Sequence, residues 1–300
     1  MTIEEIDAFL AVVEYGTLSS AAERLFISQS TISQRIKRLE AELQMTLFVR
    51  QQGQRSAVLT PSGAGLVPMA QQWSSLWRDM YSLRQMDKQM ALVVGSVDML
   101  NNLILVPLYE RLIREYPGLE LSINTHHSDE VHGLLENRVI DVGFVFSNIR
   151  YRDIISVPVH REEMYLIADP ASGYYNGIHT AELEPGKELY LRWGAEYELW
   201  HRSHWSDLPH LANINTGTSI PNYLKIPGAW MIGSASLVRY ARQRSGLAYY
   251  RLYESPPPLV CYRLIHRYPR PSRQPALDLF VREVEAFLRT VPQTVTEQQE

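Results

Sequence analysis

The stretch from Ser28 to Leu43 constrains the fold more than any other part of the chain, because it predicts an amphipathic helix with an unusual polar face. At about 100° per residue, four apolar residues form one seam: Ile32, Ile36, Leu39 and Leu43. The opposite face carries hydroxyls, an amide and cations rather than alternating glutamate and lysine. Hydroxyl, amide and cationic groups are those that bind base edges and phosphates in a DNA major groove.

Two further helices are predicted before this one. The first begins with the capping-box spacing of Thr2 and Glu5 and packs beneath the other two. The second, residues 18–25, is short and rich in small residues, and it leads almost directly to Ser28, which can cap the third helix. Two helices can cross closely over such alanines, which is the packing of a helix-turn-helix. A generic three-helix core is the alternative interpretation.

The segment after the third helix predicts a β-hairpin, or wing. Two short strand-like runs, 47–50 and 55–59, flank a turn of glutamine and glycine. Arg50 and Arg55 stand at the two ends of that turn, where a wing usually contacts phosphate or the minor groove. A plain solvated hairpin is the alternative.

The net charge of −4 does not by itself indicate a nucleic-acid partner, but the charge distribution does. Five of the six cations in residues 1–60 lie between residues 35 and 55. We expect Ser33 and Gln34 to read bases, since an amide can bond adenine bidentately. Lys37 and Arg38 are expected to hold phosphate. The residues expected to bind DNA are Gln29, Ser30, Thr31, Ser33, Gln34, Lys37, Arg38, Arg50 and Arg55.

A long helix is predicted over 61–89, with Thr60 as its N-cap and Pro61 at its first position. Apolar residues then recur at alternating steps of three and four, a period of about 3.5 residues that is typical of coiled coils. These residues are Leu66, Met69, Trp73, Leu76, Met80 and Leu83. An isolated surface helix would expose Trp73 and Trp77 to solvent, whereas pairing with the same helix of a second subunit would bury them. The pattern predicts a dimerising linker helix, with packing against its own chain as the alternative.

From residue 91 the pattern changes to alternating strands and helices. Strands at 92–96, 119–125 and 142–146 are separated by amphipathic helices, and this βαβαβ order implies a parallel, doubly wound sheet. A second unit follows from about residue 156. We expect two subdomains joined by two crossings, a hinged architecture that binds ligands in a cleft.

The last part of the chain is expected to return to the first subdomain. The segment 260–266 can cross back, and 277–288 predicts a closing helix. Residues 292–300 are polar and are expected to be disordered.

Ligands of doubly wound sheets bind beyond the carboxyl ends of the strands. An effector site is therefore predicted at three loops of the first subdomain and at the residues of the second subdomain that face them. Ser96 and Ser128 can cap helices whose N-termini favour a carboxylate, although Asp98 would oppose an anion. The aromatic residues near Trp193 suggest instead a ring-bearing or apolar ligand, unless they are simply core. The expected effector-binding residues are Ser96, Val97, Asp98, Met99, Thr125, His126, His127, Ser128, Phe146, Ser147, Trp193, Thr218, Ser219 and Trp230.

Histidine and cysteine content limits the metal and redox chemistry. The run from His126 to His132 holds three histidines, Asp129 and Glu130, but its spacing matches no standard metal site, so no metal is predicted. The single cysteine, Cys261, excludes an intramolecular disulfide, a multi-cysteine metal site and a two-cysteine peroxide switch.

Short motifs with consistent spacing extend along the chain up to its tail. They are Phe9-Leu-x-Val-Val-Glu-x-Gly16, Ala21-Ala22-x-x-Leu25, Ser28-Gln-Ser-Thr-Ile-Ser-Gln-x-Ile36, Leu39-Glu40, Leu47-Phe-x-Arg50, Leu59-Thr-Pro-Ser-Gly63, Tyr116-Pro117 and Val139-Ile-Asp-Val-Gly143. Together they resemble the LysR-type transcriptional regulators. Two positions depart from the family pattern. Gln44 stands where the family usually has glycine, and 228–234 replaces a glycine-rich motif that usually ends in proline, which would bring Trp230 near the cleft.

The resemblance implies an α/β protein with an N-terminal winged helix-turn-helix, a long linker helix and a C-terminal, periplasmic-binding-protein-like effector domain of two subdomains. The implied divisions are 1–60 for DNA binding, 61–90 for the dimerising linker helix and 91–300 for the effector domain, with subdomain I at about 91–160 plus 266–290 and subdomain II at about 161–265. It also implies a homodimer, assembled into a homotetramer, that binds an imperfect palindrome in promoter DNA. A small-molecule effector would shift the spacing of the DNA-binding heads.

Enzymes and exported solute-binding proteins are the competing classes. The sequence has no G-x-S-x-G, P-loop or dinucleotide glycine fingerprint, so we expect neither an enzyme nor a cofactor. An exported protein would need a signal, but the N-terminus opens with acids rather than a basic region and an apolar core. No apolar run approaches the roughly 18 residues that span a bilayer. A cytoplasmic protein without a membrane partner is therefore expected.

Overall fold

The computed structural model describes residues 1–49, 57–82, 90–206 and 208–295, except for the side chains of residues 78, 79, 81 and 82. The chain divides into two compact units, of which the first takes in residues 1–88 with 137–139 and the second residues 89–136 with 140–300. None of the helices in the described residues is long and apolar enough to cross a membrane.

The first unit is a three-helix head with a two-stranded hairpin and a long helix. Its elements are α1 (Ile3–Tyr15), α2 (Leu18–Arg24), α3 (Gln29–Leu43), β1 (Phe48–Val49), β2 (Val58–Leu59) and α4 (Pro61–Ser82). Strands β1 and β2 pair antiparallel, as the predicted wing requires. The predicted turn between them, with Arg50 and Arg55, lies outside the described residues, and so does Leu83.

Local sequence signals set the helix ends of this head. Thr2 and Glu5 form both bonds of the predicted capping box of α1. Thr17 caps α2, and the Ser28 hydroxyl accepts from the Thr31 N–H at 3.1 Å to cap α3. The predicted seam of α3 is buried through Ile36 and Leu39, against the buried faces of α1 and α2.

Gln44, which stands where the resemblance gives glycine, adopts a left-handed turn. It is the C-cap of α3 and adopts φ 52° and ψ 38°, the left-handed conformation in which a side chain is strained. Glycine adopts this backbone conformation without strain, and here a glutamine occupies it.

The start of α4 is held against the hairpin by close packing. The Thr60 hydroxyl accepts from the Gly63 N–H at 2.9 Å and donates to the Thr46 carbonyl at 2.6 Å. A Cβ atom at Gly63 would lie 2.2 Å from the carbonyl oxygen of Leu47. Only glycine therefore fits where this helix passes the backbone of Leu47, just before β1.

The second unit contains the two expected subdomains. The first subdomain consists of β3 (Met90–Ser96), α5 (Val106–Glu115), β4 (Leu119–Thr125), α6 (Ser128–Glu136), β5 (Val142–Val145), β6 (Ile154–Glu162), β12 (Leu259–His266) and α9 (Gln274–Leu288). A stretch of π-helix, Leu100–Leu105, leads into α5. The strand order is β4-β3-β5-β12-β6, with β3 parallel to β4 and β5, which confirms the predicted βαβαβ arrangement.

The second subdomain is built differently, around an antiparallel sheet. Its elements are β7 (Met164–Ala168), β8 (Leu189–Tyr190), α7 (Ala195–Trp205), β9 (Ala212–Asn213), β10 (Trp230–Ser234), α8 (Ala235–Ser245) and β11 (Ala248–Tyr250). Strand β7 pairs antiparallel with β10 and β11, and β8 pairs parallel with β9. Its core contains the fully buried Tyr165 and Trp230.

The return to the first subdomain begins earlier than the expected boundary at residue 266. All of β12, from Leu259, pairs antiparallel with β6 in the sheet of the first subdomain. The segment preceding it, with Pro256 to Pro258, is thus the crossing between the subdomains.

The expectation of disorder from residue 292 is wrong for residues 292–295. The carbonyl of Gln293 accepts from the Glu163 N–H at 2.9 Å, and the Val295 N–H donates to the Tyr165 hydroxyl at 3.1 Å. The Val295 side chain is buried in the core of the second subdomain. Polar composition did not reveal this contact because one apolar side chain provides it. Residues 296–300 lie outside the described residues.

Candidate nucleic-acid interface and ligand cleft

Helix α3 presents the polar face that the sequence predicts. Gln29, Ser30, Gln34, Lys37 and Arg38 are exposed, and Thr31 and Ser33 are half-buried. Its N-terminus carries a ring of hydroxyls, because the Ser28 hydroxyl lies 2.7 Å from that of Ser30 and 2.8 Å from that of Thr31. The result is an ordered, exposed polar surface with two neighbouring cations near its centre.

Phe26 is a feature of this surface that the sequence interpretation did not single out. It lies in the turn between α2 and α3, it is 91% exposed, and its φ of 54° is left-handed. A large apolar side chain in a strained and exposed position is uncommon, and such positions cluster at functional sites. The signal in the sequence was a bulky residue in a turn that favours glycine or asparagine.

The long helix α4 exposes most of its predicted apolar repeat. Met69 is 65% exposed, and Trp73, Leu76 and Met80 are also exposed. Leu66, by contrast, is half-buried and packs against the core of the head, so the alternative of own-chain packing holds at this position. The opposite side of α4 also faces the head.

That side of α4 packs against the head through apolar and polar contacts. Ala70 is buried in the core of the head. The Ser74 hydroxyl donates to the Asp7 carboxylate of α1 at 3.2 Å. The two sides of α4 therefore have different chemistry, and its exposed stripe is apolar.

A cavity of about 1120 Å³ lies between the two subdomains of the second unit, at the carboxyl ends of β3, β4 and β5. This is where the strand-end rule for parallel sheets puts ligands. Predicted effector-binding residues that line it are Val97, Asp98, Met99, Thr125, His126, His127, Ser128, Phe146, Ser147 and Trp193. Trp193 is oriented by its indole N–H, which donates to the Ile232 carbonyl at 2.9 Å, and it packs edge-on to Phe146.

Two predicted effector-binding residues are core residues instead. Trp230 is fully buried, donates to the Glu184 carbonyl at 2.9 Å and packs against Trp205. It stands at the amino end of β10 in an antiparallel sheet, so the strand-end rule for parallel sheets does not apply to it. Ser96 is also fully buried, because it is still inside β3 when the strand pairs with β4.

Thr218 and Ser219 do not line the cavity either. Ser219 turns back on its own backbone, since its hydroxyl donates to the Thr216 carbonyl at 2.8 Å. Thr218 donates to Asp98, from its N–H at 3.0 Å and from its hydroxyl at 2.9 Å. It thus joins the two subdomains beside the cavity.

Apart from Trp193, strand-end reasoning missed the wall that the second subdomain contributes. Tyr190, Arg192 and Glu198 line the cavity, as do residues 213–217. Strands β8 and β9 are parallel and two residues long, and these residues lie at their carboxyl ends or follow them. The same strand-end rule would have found this wall if strands that short could be located from sequence.

The cavity lining carries more negative than positive charge. Of the lining residues in the described part of the chain, the carboxylates are Asp98, Asp129, Glu130 and Glu198, and the only lysine or arginine is Arg192. Arg192 is bonded to Glu198, which raises the pKa of the guanidinium. This charge balance disfavours an anionic ligand, so it argues against the carboxylate that helix N-termini alone would have suited.

The run of histidines from 126 to 132 does not gather into a metal site in the described residues. His126 and His127 line the cavity, whereas His132 points into the core, stacks on Tyr151 and has its Nδ1 2.9 Å from the Ser128 carbonyl. The helical turn between residues 128 and 132 separates the side chains that the sequence places together.

Cys261 is buried on β12 in the core of the first subdomain, and burial raises the pKa of its thiol. A thiol of this kind is protonated at neutral pH and is a poor nucleophile.

Two family models match the chain. Residues 3–64 match a bacterial regulatory helix-turn-helix protein of the lysR family, and residues 87–289 match a LysR substrate binding domain. Similar curated proteins include the HTH-type transcriptional regulator SoxR of Arthrobacter sp., with 31% identity over 66% of each chain. Another is the HTH-type transcriptional regulator YofA of Bacillus velezensis, 30% identical over 56% of this chain and 59% of that one. The matched segments thus span two thirds or less of these relatives.

Solved structures share the fold over nearly the whole chain. A full-length OxyR variant from Pseudomonas aeruginosa has a TM-score of 0.70 at 20% identity, covering 100% of this chain and 99% of that one. CbnR, described as a LysR family transcriptional regulator, has a TM-score of 0.71 at 21% identity, covering 96% and 99%. CbnR has also been solved with its target DNA.

Proposed function

Because this chain belongs to the LysR family of bacterial helix-turn-helix regulators, we propose that it regulates transcription by binding promoter DNA through α3 and sensing a small molecule in the cleft of its second unit. The observation that carries this proposal is the exposed polar face of α3, which is set on a fully packed helix-turn-helix. In this proposal the protein is cytoplasmic and is not an enzyme, and the ligand of its cleft is an effector rather than a cofactor.

The face of α3 suits a major groove. Gln34 and Ser33 lie where an amide and a hydroxyl can reach base edges, and Lys37 and Arg38 lie one turn further along, where they can hold phosphate. The buried seam on the other side fixes the orientation of this face through Ile32 and Leu39. Recognition of the base sequence thus depends on a few side chains, and the packing of α3 holds them in a fixed orientation.

A second copy of this chain is the partner that fits α4. The stripe of Met69, Trp73, Leu76 and Met80 repeats with the spacing of a coiled coil, and a second copy presents the same stripe. Pairing would bury Trp73 of both helices and place two copies of α3 on one DNA duplex. We propose a homodimer through α4, able to assemble further into a tetramer.

The cleft suits an effector that is neutral or cationic and carries a ring or apolar body. Trp193, Tyr190 and Phe146 give it aromatic surface, and its carboxylates outnumber its one arginine. An effector that contacts both walls would bind the closed arrangement of the two subdomains more tightly than the open one. This difference in affinity can shift the spacing of the DNA-binding heads.

DNA binding by the full-length protein tests the central proposal. In a gel-shift assay with the DNA upstream of its own gene, we expect a specific complex that survives excess nonspecific competitor. Gln34→Ala should abolish specificity, and Gln72→Ala, at an exposed glutamine of α4, is the matched control. If no specific complex forms with or without added ligands, the regulator proposal is wrong.

Light scattering tests the dimer. Replacing both Leu76 and Met80 by lysine should convert the protein to monomers. The two lysines of one chain would face the two lysines of the other across the apolar interface. Ile113→Lys, at an exposed apolar residue of α5, should leave the assembly unchanged. A dimer that persists in the double variant would place the interface elsewhere.

A thermal-shift screen of the full-length protein tests the effector class. Ring-bearing amines and neutral ring compounds should raise the melting temperature, whereas the corresponding carboxylates should not. Carboxylates that stabilise the protein more than the amines do would contradict the proposed class, without affecting the DNA-binding proposal.

A further inference from the structure

Three potential metal ligands meet in the second subdomain, on three different elements. Glu188 directly precedes β8, His201 lies on α7, and His210 lies in the loop before β9. The Nε2 atom of His201 is 2.8 and 3.0 Å from the two carboxylate oxygens of Glu188, and Nδ1 of His210 is 2.9 Å from one of them. One ligand atom from each residue lies within 4.8 Å of the other two.

The Glu188 carboxylate needs a cation close by. Its side chain is fully buried, and in the described part of the chain its ion pairs are with His201 and His210 and with no lysine or arginine. A buried carboxylate is costly unless it is paired with a cation or coordinates a metal ion. A divalent metal ion supplies that cation and takes one ring nitrogen of each imidazole as a ligand.

We propose that Glu188, His201 and His210 bind a divalent transition metal ion of the Zn²⁺ class. Two imidazole nitrogens and one carboxylate oxygen are a common zinc donor set, in which water fills the fourth position. His210 is 19% exposed in its side chain, which gives the ion an entry path and a place for that water. His201 and Glu188 are sealed from solvent on the inner side.

The geometry is close to what the ion requires. Tetrahedral ligands at about 2.0–2.1 Å from zinc stand roughly 3.3 Å apart, so each imidazole nitrogen needs to move away from the carboxylate by only about half an ångström. The two imidazole nitrogens already lie within 4.8 Å of each other. Aromatic rings hold both imidazoles in place. Tyr190 stacks on His210 at 4.4 Å with planes 8° apart, and Trp205 packs on His201 at 4.8 Å.

The site lies directly behind the wall of the cleft. Tyr190, which stacks on His210, also lines the cavity, and α7 contributes Glu198 to the lining one turn before His201. A metal ion here would fix β8, α7 and the start of β9 to one another, and all three elements lead into the cleft wall. The proposal stands apart from the DNA-binding proposal, since it needs neither DNA nor effector.

Metal titration of the full-length, chelator-treated protein tests the site. With Zn²⁺ in competition with a chromophoric chelator, we expect one tight site per chain, and with Co²⁺ a visible absorption band of a tetrahedral complex. His210→Gln should weaken binding beyond the roughly 10- to 100-fold loss that removing a supporting group causes. Because the His210 side chain is partly exposed and glutamine is of similar size, this variant should stay folded, and its melting curve in EDTA checks that it does.

Two further variants locate the site. His204→Gln, on the same helix but with Nδ1 2.8 Å from the Trp200 carbonyl, should leave Zn²⁺ affinity unchanged. His126→Gln, in the cleft, should do the same. Absence of tight binding, equal binding by His210→Gln, or loss of binding in His126→Gln would overturn the proposal.

Discussion

Asp98 and Thr218 are 120 residues apart and hydrogen-bond to each other across the boundary between the two subdomains. The Asp98 carboxylate accepts from the N–H of Thr218 at 3.0 Å and from its hydroxyl at 2.9 Å. Next to this pair, a Cβ atom at Gly217 would lie 2.3 Å from the sulfur of Met99. The two subdomains therefore meet tightly at this point, and the carboxylate that would face an effector is already used to hold them together.

Asp98→Ala should destabilise the second unit by about 3 kcal/mol, because hydrogen bonds to a charged acceptor contribute about 1.5–3 kcal/mol each and the two donors of Thr218 would lose theirs. The exposed Asn102 amide, which donates to the same carboxylate at 2.8 Å, would lose its bond as well. Urea unfolding measures this loss, and hydrogen exchange at the Thr218 amide should become faster. Thr218→Val, which keeps the N–H but removes the hydroxyl, should cost less. Asp129→Ala, at an exposed aspartate of the same cavity, is the control. Equal stability of the Asp98 and Asp129 variants would show that the bond across the boundary contributes nothing.

Lys37→Ala should weaken binding to every DNA sequence alike and lower the salt-dependence slope by about one unit, as expected for the loss of one phosphate contact. Fluorescence anisotropy with cognate and scrambled duplexes, over a range of salt concentrations, measures both quantities. Lys225→Ala removes an exposed lysine from the other unit and should change neither. A loss confined to the cognate duplex would instead assign Lys37 to base reading.

Gln44→Gly should stabilise the DNA-binding head by about 0.5–1 kcal/mol. A left-handed conformation costs an L-residue roughly 1–2 kcal/mol, and glycine avoids this cost but loses more backbone entropy on folding. The glutamine side chain is exposed, so little packing is lost. Thermal unfolding measures the change, with Ala41→Gly in the same helix as a control that should destabilise. A Gln44 variant that melts lower than the wild type would mean that the side chain itself stabilises the turn.

Gly63→Ala should have the opposite effect and destabilise the head by about 2–3 kcal/mol, because the added methyl group would overlap a backbone carbonyl that cannot turn away. The overlap is with Leu47, 2.2 Å from the position of the new Cβ atom. Gly65→Ala lies on the same helix, with no atom from outside its own stretch of helix backbone within 4 Å of its new Cβ, and should be stabilising. The two alanine variants differ only in position, so similar melting temperatures would contradict the close packing.

Features that depend on neighbouring residues were predictable from the sequence. The caps at Thr2 and Ser28 and the buried seam of α3 follow from local spacing, and the structure has them all. The cavity was predictable in its first-subdomain wall, because long parallel strands reveal where their carboxyl ends lie. In both cases a period or a spacing of a few residues carries the information.

Features that depend on the tertiary fold were not predictable. Trp230 looked like a cleft residue, but its strand is antiparallel, and no local pattern gives the direction of a strand. Glu188, His201 and His210 converge from three elements without any motif spacing. Val295 packs into a distant core although its neighbours are polar. Each of these depends on which elements meet, and that is decided by the packing of the whole second unit.

Glu254 should give the second unit a stability increment that disappears in acid. The ring of His179 lies 2.9 Å from its carboxylate and the Thr180 N–H donates to it at 2.9 Å, and these bonds lower its pKa from 4.5 to about 2. A carboxyl whose pKa is lower in the folded protein binds its proton more readily in the unfolded chain. Its contribution is therefore complete above about pH 4.5, shrinks as the pH falls below that value, and is lost near pH 2.

Urea unfolding of the wild type and Glu254→Gln over a pH series measures this contribution. The difference between the two proteins should be constant from about pH 6 to about pH 4.5 and should narrow below it. Carboxyl carbon NMR gives an independent check, since Glu254 in the folded protein should still be mostly ionised at about pH 3. His179→Ala, which removes the bond to the His179 ring, should raise the pKa of Glu254 in the folded protein towards its ordinary value. A wild-type midpoint near 4.5 would mean that the His179 and Thr180 bonds do not stabilise the carboxylate.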